Sequence, residues 1–284
     1  MHEEYVGVIG AGVMGCGVAQ SLAQAKYKVI LVDITTAALE SAKTNIAQSL
    51  RFHHLFAKDK PQETQEATLS RIEFTTNYQE LKPCKFIIEN VVERWEVKKD
   101  VYKKMDGICN KETIFIANTS CIPITKIANN TNRKDKTIGI HFMNPVSLKN
   151  TVEVIKGYHT SDTTIESIEG FLKTLGKTSI TVNDSPGFVS NRLSHLLMNE
   201  AAYVVYEGVA TAKQVDDIFK KCYEHKTGPL ETADLIGLDT VVDSLDILFD
   251  SFKDSKFRCC PLLRKMVDAG LLGRKSGKGF YEYE

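Results

Sequence analysis

The sequence of 284 residues has no excess of either charge, no long apolar run and no CxxC cysteine pair. Lys+Arg and Asp+Glu each total 36, so no long-range field favours a nucleic acid or an anionic membrane. The apolar runs are too short for a membrane-spanning helix, which needs roughly 18 residues. The seven cysteines indicate free thiols in a reducing compartment. We therefore expect a cytoplasmic enzyme or binding protein that binds neither nucleic acid nor membrane.

The first part of the chain alternates short apolar runs with amphipathic helical stretches. The clearest apolar runs are residues 5–9, 28–32, 86–88 and 113–116. Strands and helices that alternate at this spacing are typical of a parallel sheet with helices on both faces. We predict an α/β fold for residues 1–184, namely a Rossmann-type, doubly wound parallel sheet.

After the last predicted strand, residues 179–182, the pattern changes to helices only. The helical stretches are residues 192–208, 211–223, 233–252 and 261–269. Asp184 or Ser185 is the expected N-cap of the first one, because short polar side chains accept hydrogen bonds from the free N–H groups of a helix. We predict a second, all-α domain in residues 185–284.

A glycine-rich loop follows the first predicted strand and opens a helix. Gly10, Gly12 and Gly15 fit the pattern GxGxxG, and Asp33 closes the next strand about 20 residues later, as the dinucleotide fingerprint requires. Such a loop brings backbone and a helix N-terminus to the pyrophosphate. Asp33 can bind the ribose hydroxyls and repels a 2′-phosphate, so NAD is favoured over NADP. A glycine-rich turn without a ligand is the alternative. The predicted cofactor contacts are Gly10, Gly12, Val13, Met14, Gly15 and Asp33.

Further motifs are spread over the chain in a fixed order. They include Ile88-Glu89-Asn90-Val91-Val92-Glu93, Asn118-Thr119-Ser120, Ile140-His141-Phe142-Met143-Asn144-Pro145, Val152-Glu153-Val154-Ile155 and Ser185-Pro186-Gly187-Phe188-Val189-Ser190-Asn191-Arg192. With these motifs the chain resembles the 3-hydroxyacyl-CoA dehydrogenase family over nearly its whole length. The resemblance implies reversible, NAD-dependent oxidation of a 3-hydroxyacyl thioester to the 3-oxoacyl form. It also implies a second domain that closes over the substrate and forms a homodimer.

By this resemblance His141 is the general base and Glu153 is the carboxylate that orients its ring. Histidine suits the task because an imidazole can accept and return a proton near neutral pH. The two residues lie on apolar segments joined by a polar turn, which could set them face to face. An unrelated core histidine beside a surface glutamate is the alternative.

The resemblance also assigns the residues around this pair. It places Ser120 and Asn191 on the substrate oxygens, and it places Glu93, Lys98 and Asn118 on the cofactor. Ordinary structural roles are the alternatives: a helix cap for Ser120, an interdomain turn for Asn191, and helix-surface charges for Glu93 and Lys98. No spacing typical of metal ligands stands out, so no metal site is predicted.

The segment after His141 departs from the fatty-acyl members of the family. Lys149 and Asn150 stand in a stretch that is usually apolar, and they could hydrogen-bond a polar acyl group. Asn144 at the start of the segment is a further predicted substrate contact. Loop drift without functional meaning is the alternative.

A helical insertion near residues 45–75 is expected to clamp the substrate. Ser49 is kept where the family contacts CoA, but Phe56 stands where a lysine is common. The missing cation leaves a substrate on an acyl carrier protein as an alternative to CoA. A free hydroxy-acid dehydrogenase and an NAD-binding protein without activity are more distant alternatives.

Overall fold

The computed structural model describes residues 4–56 and 63–283, except for the side chains of residues 52–56. The chain divides into two compact units, Met1–Ser185 and Pro186–Glu284. The division follows the last strand of the sheet. Within the described ranges no helix is long and apolar enough to cross a membrane.

The first unit is built on one sheet, whose described strands lie in the order β3-β2-β1-β4-β5-β6-β7-β8. The strands are β1 (Tyr5–Ile9), β2 (Lys28–Val32), β3 (Ile72–Thr75), β4 (Phe86–Glu89), β5 (Ile114–Ala117), β6 (Thr137–His141), β7 (Thr151–Lys156) and β8 (Thr178–Asn183). The predicted Rossmann-type fold is confirmed. One step differs from a wholly parallel sheet, because β7 pairs antiparallel with β6. Residues 142–150 are too few for the crossover of about a dozen residues that a parallel pair needs.

Helices cover the sheet because its inner strands, such as β1, β4 and β5, are buried on both faces and largely apolar. The helices of this unit are α1 (Val13–Gln24), α2 (Thr36–Phe56), α3 (Gln65–Leu69), α4 (Trp95–Ile108), α5 (Ile124–Ala128) and α6 (Asp162–Thr174). Buried side chains of α1, α2 and α6, such as Leu22, Ile46 and Phe171, pack in one cluster with the strand residues Val8 and Ile88. This packing fixes the carboxyl ends of the strands, where ligands bind in open α/β sheets.

The second unit is helical within its described residues. Its helices are α7 (Ser190–Tyr206), α8 (Ala212–Cys222), α9 (Pro229–Ile236), α10 (Leu238–Phe252) and α11 (Pro261–Asp268). The single helix predicted over 233–252 is wrong, because Gly237 has a φ of 103° and separates α9 from α10. A helix requires negative φ, so the chain turns at this glycine.

The expected capping of the first helix is also wrong. The N-cap position of α7 is Val189, which makes no side-chain cap. Gly187 and Phe188 both have positive φ, so the helix begins only after them. Asp184 caps a different helix: its carboxylate accepts hydrogen bonds from the backbone N–H groups of Ile124 and Thr125 at the start of α5.

Candidate active site

The glycine loop lies between the end of β1 and the start of α1, and it has the shape of a phosphate cradle. Gly10 has a φ of 93°, and a Cβ there would lie 2.7 Å from the carbonyl oxygen of Asn90. A Cβ on Gly15 would lie 1.7 Å from the Gly10 carbonyl oxygen, so both positions require glycine. A Cβ on Gly12 would meet nothing within 4 Å. Gly12 therefore leaves room for a ligand at the N-terminus of α1, where the helix dipole favours an anion.

Asp33 follows β2 and is tied to the glycine loop. Its Oδ2 accepts a hydrogen bond from the Ala11 N–H at 2.6 Å, and its Oδ1 accepts one from the Ile34 N–H at 2.7 Å. Each carboxylate oxygen has a second lone pair, so Asp33 can also accept bonds from ribose hydroxyls. The same contacts that hold the loop thus orient the carboxylate for a nucleoside.

A cavity of about 480 Å³ adjoins the loop and Asp33. Apolar side chains form much of its lining, among them Ile34, Tyr78, Val92, Val97 and Val101. This lining fits the flat apolar faces of an adenine ring. Sequence reasoning missed these residues, although Val97 and Val101 are four apart and therefore lie on one face of α4.

His141 ends β6 and faces Glu153 on β7. The two residues are direct partners in the antiparallel register. His141 Nδ1 lies 3.4 Å from Glu153 Oε2, and His141 Nε2 lies 3.3 Å from Ser120 Oγ. Both side chains are 9% exposed. An Nδ1–H that donates to Glu153 leaves the Nε2 lone pair on the side of Ser120.

Asn118 follows β5, and its side chain connects the segments that follow the two neighbouring strands. Its side-chain amide donates to Asn90 Oδ1 at 2.6 Å, and its Oδ1 accepts from the backbone N–H of Phe142 at 3.3 Å. Asn90 follows β4 and Phe142 follows β6. Asn118 therefore holds the segment after His141 against the segment beside the glycine loop.

The alternative of plain helix-surface charges for Glu93 and Lys98 is wrong. Lys98 is fully buried, and its Nζ lies 2.9 Å and 3.0 Å from the two carboxylate oxygens of Glu89. The same Nζ lies 3.5 Å from Glu93 Oε2. Burial raises the pKa of Glu89. Burial acts in the same direction on Glu93, but the Lys98 charge and hydrogen bonds from residues 119–121 outweigh it and lower the pKa of Glu93.

The predicted substrate contacts are spread over both units. Ser49 is half-buried on α2, and Asn144, Lys149 and Asn150 are exposed after β6. Asn191 belongs to the second unit, where its backbone carbonyl accepts a hydrogen bond from His195 Nδ1 in the first turn of α7. The side chain of Phe56 and residues 57–62 of the predicted insertion lie outside the described residues.

A buried lysine that sequence reasoning missed supports the segment after His141. Lys177 Nζ donates to the backbone carbonyls of Val146 at 2.7 Å and Lys149 at 2.8 Å. Burial lowers the pKa of Lys177. The position of Lys149 is thus fixed through its carbonyl, while its own side chain remains exposed.

No group of three or more His, Cys, Asp or Glu side chains within the described ranges could hold a metal ion. The fold, the glycine loop and Asp33 define a Rossmann-type protein that binds NAD. A model of the 3-hydroxyacyl-CoA dehydrogenase NAD binding domain matches residues 5–185, and a model of the C-terminal domain of 3-hydroxyacyl-CoA dehydrogenase matches residues 187–283. The chain belongs to the 3-hydroxyacyl-CoA dehydrogenase family.

Relatives match over nearly the whole chain. A probable 3-hydroxybutyryl-CoA dehydrogenase of Deinococcus radiodurans is 46% identical, over 98% of this chain and 99% of its own length. A protein of the same description from Bacillus subtilis is 42% identical, over 100% of this chain and 99% of its own length. The crystal structure of (S)-3-hydroxybutyryl-CoA dehydrogenase from Ralstonia eutropha superimposes with a TM-score of 0.92 at 42% identity, covering 99% of each chain.

Proposed function

We propose that this protein oxidises a short 3-hydroxyacyl-CoA to the 3-oxoacyl-CoA, reversibly and with NAD. The observation that carries the proposal is the placement of His141 between Glu153 and Ser120 at the carboxyl end of β6. This end of the sheet also carries the glycine loop and Asp33, so the base and the cofactor loop share one edge. The names of the relatives from Deinococcus radiodurans and Bacillus subtilis support the acyl-CoA substrate.

In the proposed reaction His141 Nε2 accepts the proton of the substrate hydroxyl as the C–H bond releases a hydride and the C=O bond forms. NAD, when bound, supplies the acceptor for that hydride. Glu153 accepts the Nδ1–H bond, fixes the tautomer and stabilises the imidazolium that results. Ser120 holds a substrate oxygen. The substrate contact that the family resemblance assigns to Asn191, a residue of the second unit, stays a prediction. The proton then passes from His141 to solvent, and the imidazole is ready for the next turnover.

The experiment that tests this assignment is His141→Ala, with His159→Ala as its matched control. His159 is an exposed histidine of the same unit. We expect His141→Ala to lower kcat by about 10²- to 10⁴-fold, the contribution typical of a general base, while the Kd for NAD stays nearly unchanged. The control should keep wild-type turnover. An unimpaired H141A variant would exclude His141 as the base.

The carrier of the acyl group is a separate question within this proposal. Lys149 and Asn150 are exposed in the segment after His141, which leaves a polar acyl group or an acyl carrier protein as the second candidate. Initial rates with 3-hydroxybutyryl-CoA, the same acyl group on a carrier protein and free 3-hydroxybutyrate separate the three substrates. We expect the CoA thioester to have the highest kcat/KM. A higher kcat/KM for the carrier protein or the free acid would replace CoA in the proposal.

We also propose that the protein forms a homodimer through its second unit. Leu197, Leu235 and Ile236 are exposed apolar residues of that unit, although Met198 next to Leu197 is buried in its core. Sedimentation velocity should give a dimer mass, and Leu197→Glu should shift it towards the monomer because a charge would be buried at the interface. A monomer mass for the wild-type chain would contradict the proposal.

A further inference from the structure

The segment that carries Ser120 donates all of its backbone N–H groups between residues 120 and 125 to two carboxylates. Glu93 Oε1 accepts from the N–H groups of Ser120 at 3.0 Å, Cys121 at 2.9 Å and Ile122 at 3.3 Å. Position 123 is a proline and has no N–H group. Asp184 accepts from the N–H groups of the next two residues, at 2.9 Å and 2.7 Å. The segment is therefore held at both ends by anions.

Glu93 is itself fixed on its other side. Its Oε2 lies 3.5 Å from the fully buried Lys98 Nζ, which also pairs with Glu89 on β4. The Thr119 hydroxyl donates to Glu93 Oε1 as well, and Thr119 Oγ1 accepts from the Ile122 N–H at 3.2 Å. The chain of contacts thus runs from β4 through Lys98 and Glu93 to the segment before α5.

At the end of this series of contacts, the Ser120 hydroxyl lies 3.3 Å from His141 Nε2. We propose that Glu93 is a positioning residue: its carboxylate gathers the N–H groups of residues 120–122 and thereby sets the Ser120 hydroxyl against His141. This inference rests on the proposed function, because it gives the Glu93 contacts a role in the same reaction. It differs from a cofactor contact, which would act on NAD affinity alone.

A carboxylate suits this role better than a neutral acceptor. Three N–H groups converge on one oxygen, and hydrogen bonds to a charged acceptor are roughly twice as strong as neutral ones. Asp184 is the matched comparison. It accepts hydrogen bonds from two N–H groups of the same segment, but these belong to Ile124 and Thr125, four and five residues after Ser120. Removing the charge of Asp184 should loosen the start of α5 but should not change the position of the Ser120 hydroxyl.

The test is a double-mutant cycle between Glu93→Ala and Ser120→Ala, with kcat measured at saturating NAD and substrate. We expect Glu93→Ala alone to lower kcat by about 10- to 100-fold, the effect of a displaced catalytic group. In the Ser120→Ala background the same change should alter kcat by less than about twofold. Glu93→Gln, which keeps an acceptor of the same size, should recover part of kcat. Asp184→Asn should leave kcat within about twofold of wild type.

Three outcomes would overturn the inference. One is an equal loss of kcat from Glu93→Ala in both backgrounds, which would indicate a general structural effect. The second is a raised Kd for NAD with unchanged kcat, which would make Glu93 a cofactor contact only. The third is an unchanged kcat in Ser120→Ala, because the hydroxyl would then have no role for Glu93 to support.

A readout without activity separates this inference from the proposed function. Amide hydrogen exchange in Glu93→Ala should become faster at residues 120–122 and stay as in wild type at residues 124 and 125, whatever the substrate of the enzyme. If Glu93→Ala does not fold, Glu93→Gln carries the same comparison. Unchanged exchange at residues 120–122 would show that Glu93 does not hold the segment, even if the wild-type enzyme oxidises 3-hydroxybutyryl-CoA.

Discussion

In each unit of the chain, carboxylates that accept hydrogen bonds from backbone N–H groups hold a short segment in place. The two segments differ in the residues that they position. In the first unit Glu93 and Asp184 hold residues 120–125. In the second unit Asp234 accepts from the N–H groups of Phe280 and Tyr281, both at 3.0 Å. The first segment carries a hydroxyl that lies beside His141, whereas the second follows the helices of its unit and packs against α9.

The partners of the carboxylates differ as well. Glu93 is paired with a buried cation, Lys98. Asp234 is fully buried and accepts a hydrogen bond from the Tyr283 hydroxyl at 2.9 Å. Asp216, also buried, accepts the Tyr281 hydroxyl at 2.7 Å. Asp216 and Asp234 in the helical unit are therefore bound by neutral donors, whereas Glu93 in the first unit is also paired with a cation.

The two arrangements of carboxylates suit different tasks. An anion bound by a cation and three N–H groups is fixed in direction, which matters when a neighbouring hydroxyl has to meet a reacting atom. Carboxylates that accept hydrogen bonds from residues 280–283 hold that segment against helices distant from it in sequence, which contributes to stability. We expect substitutions at Glu93 to act mainly on kcat and substitutions at Asp234 to act mainly on the free energy of unfolding.

The largest effect on stability is expected from Lys98→Met. The change leaves the carboxylates of Glu89 and Glu93 without their shared cation, and breaking a buried ion pair costs about 3–5 kcal/mol in the free energy of unfolding. Urea unfolding followed by Trp95 fluorescence measures it, because Trp95 is the single tryptophan and begins α4. The double variant Glu89→Gln/Lys98→Met should recover much of the loss. A Lys98→Met variant as stable as wild type would contradict a stabilising role of the buried Lys98 charge.

A smaller loss is expected from Asp234→Ala, which deletes the acceptor of two N–H groups and one hydroxyl. At about 1 kcal/mol for each hydrogen bond, the free energy of unfolding should fall by about 3 kcal/mol. Amide exchange at residues 280 and 281 should accelerate with it. The matched control is Asp250→Ala, whose side chain is 74% exposed, and its effect should stay within about 0.5 kcal/mol. Equal effects of the two substitutions would contradict the role of Asp234.

The smallest effect is expected from Tyr281→Phe, about 1 kcal/mol at neutral pH for one lost hydrogen bond. Burial, and then the hydrogen bond to Asp216, raise the pKa of Tyr281 in the folded chain. The contribution of this group to stability is therefore complete below the unfolded pKa of about 10 and is lost as the pH rises above it. Thermal unfolding between pH 8 and 11 should show a steeper alkaline fall for wild type than for Y281F. Tyr206→Phe, at an exposed tyrosine, is the control, and equal slopes for wild type and Y281F would contradict the prediction.

Several features of the fold and site follow from short-range patterns in the sequence. The alternation of apolar runs predicts the sheet, and the spacing from Gly10 to Asp33 predicts the NAD loop, because both depend on residues near one another in the chain. The polar turn between His141 and Glu153 suggests their pairing. Its short length also requires the antiparallel step between β6 and β7, a consequence that the predicted parallel sheet overlooked.

The remaining features depend on contacts between distant residues, which periodicity does not encode. Asp184 is 60 residues from Ile124, whose N–H it accepts, so its local position beside a predicted helix was misleading. In the sequence, Lys98 resembles a surface charge on a polar helix. Its partner Glu89 belongs to β4, and only the fold places the two side chains in contact. Gly237 gave no signal of its own, because a single glycine is tolerated in many helices. The proposed roles of Asn144, Lys149, Asn150 and Asn191 remain predictions.

The different roles of Glu93 and Asp234 are tested most directly by the single-turnover rate of NADH formation from 3-hydroxybutyryl-CoA. The rate is compared in two variants, Glu93→Ala and Asp234→Ala. It is measured at a temperature where both variants are folded, with NAD saturating. We expect Glu93→Ala to slow the step by at least about tenfold and Asp234→Ala to leave it within about twofold of wild type. Equal rates for Glu93→Ala and wild type, or a slower step in Asp234→Ala than in Glu93→Ala, would contradict the assignment of the two carboxylates.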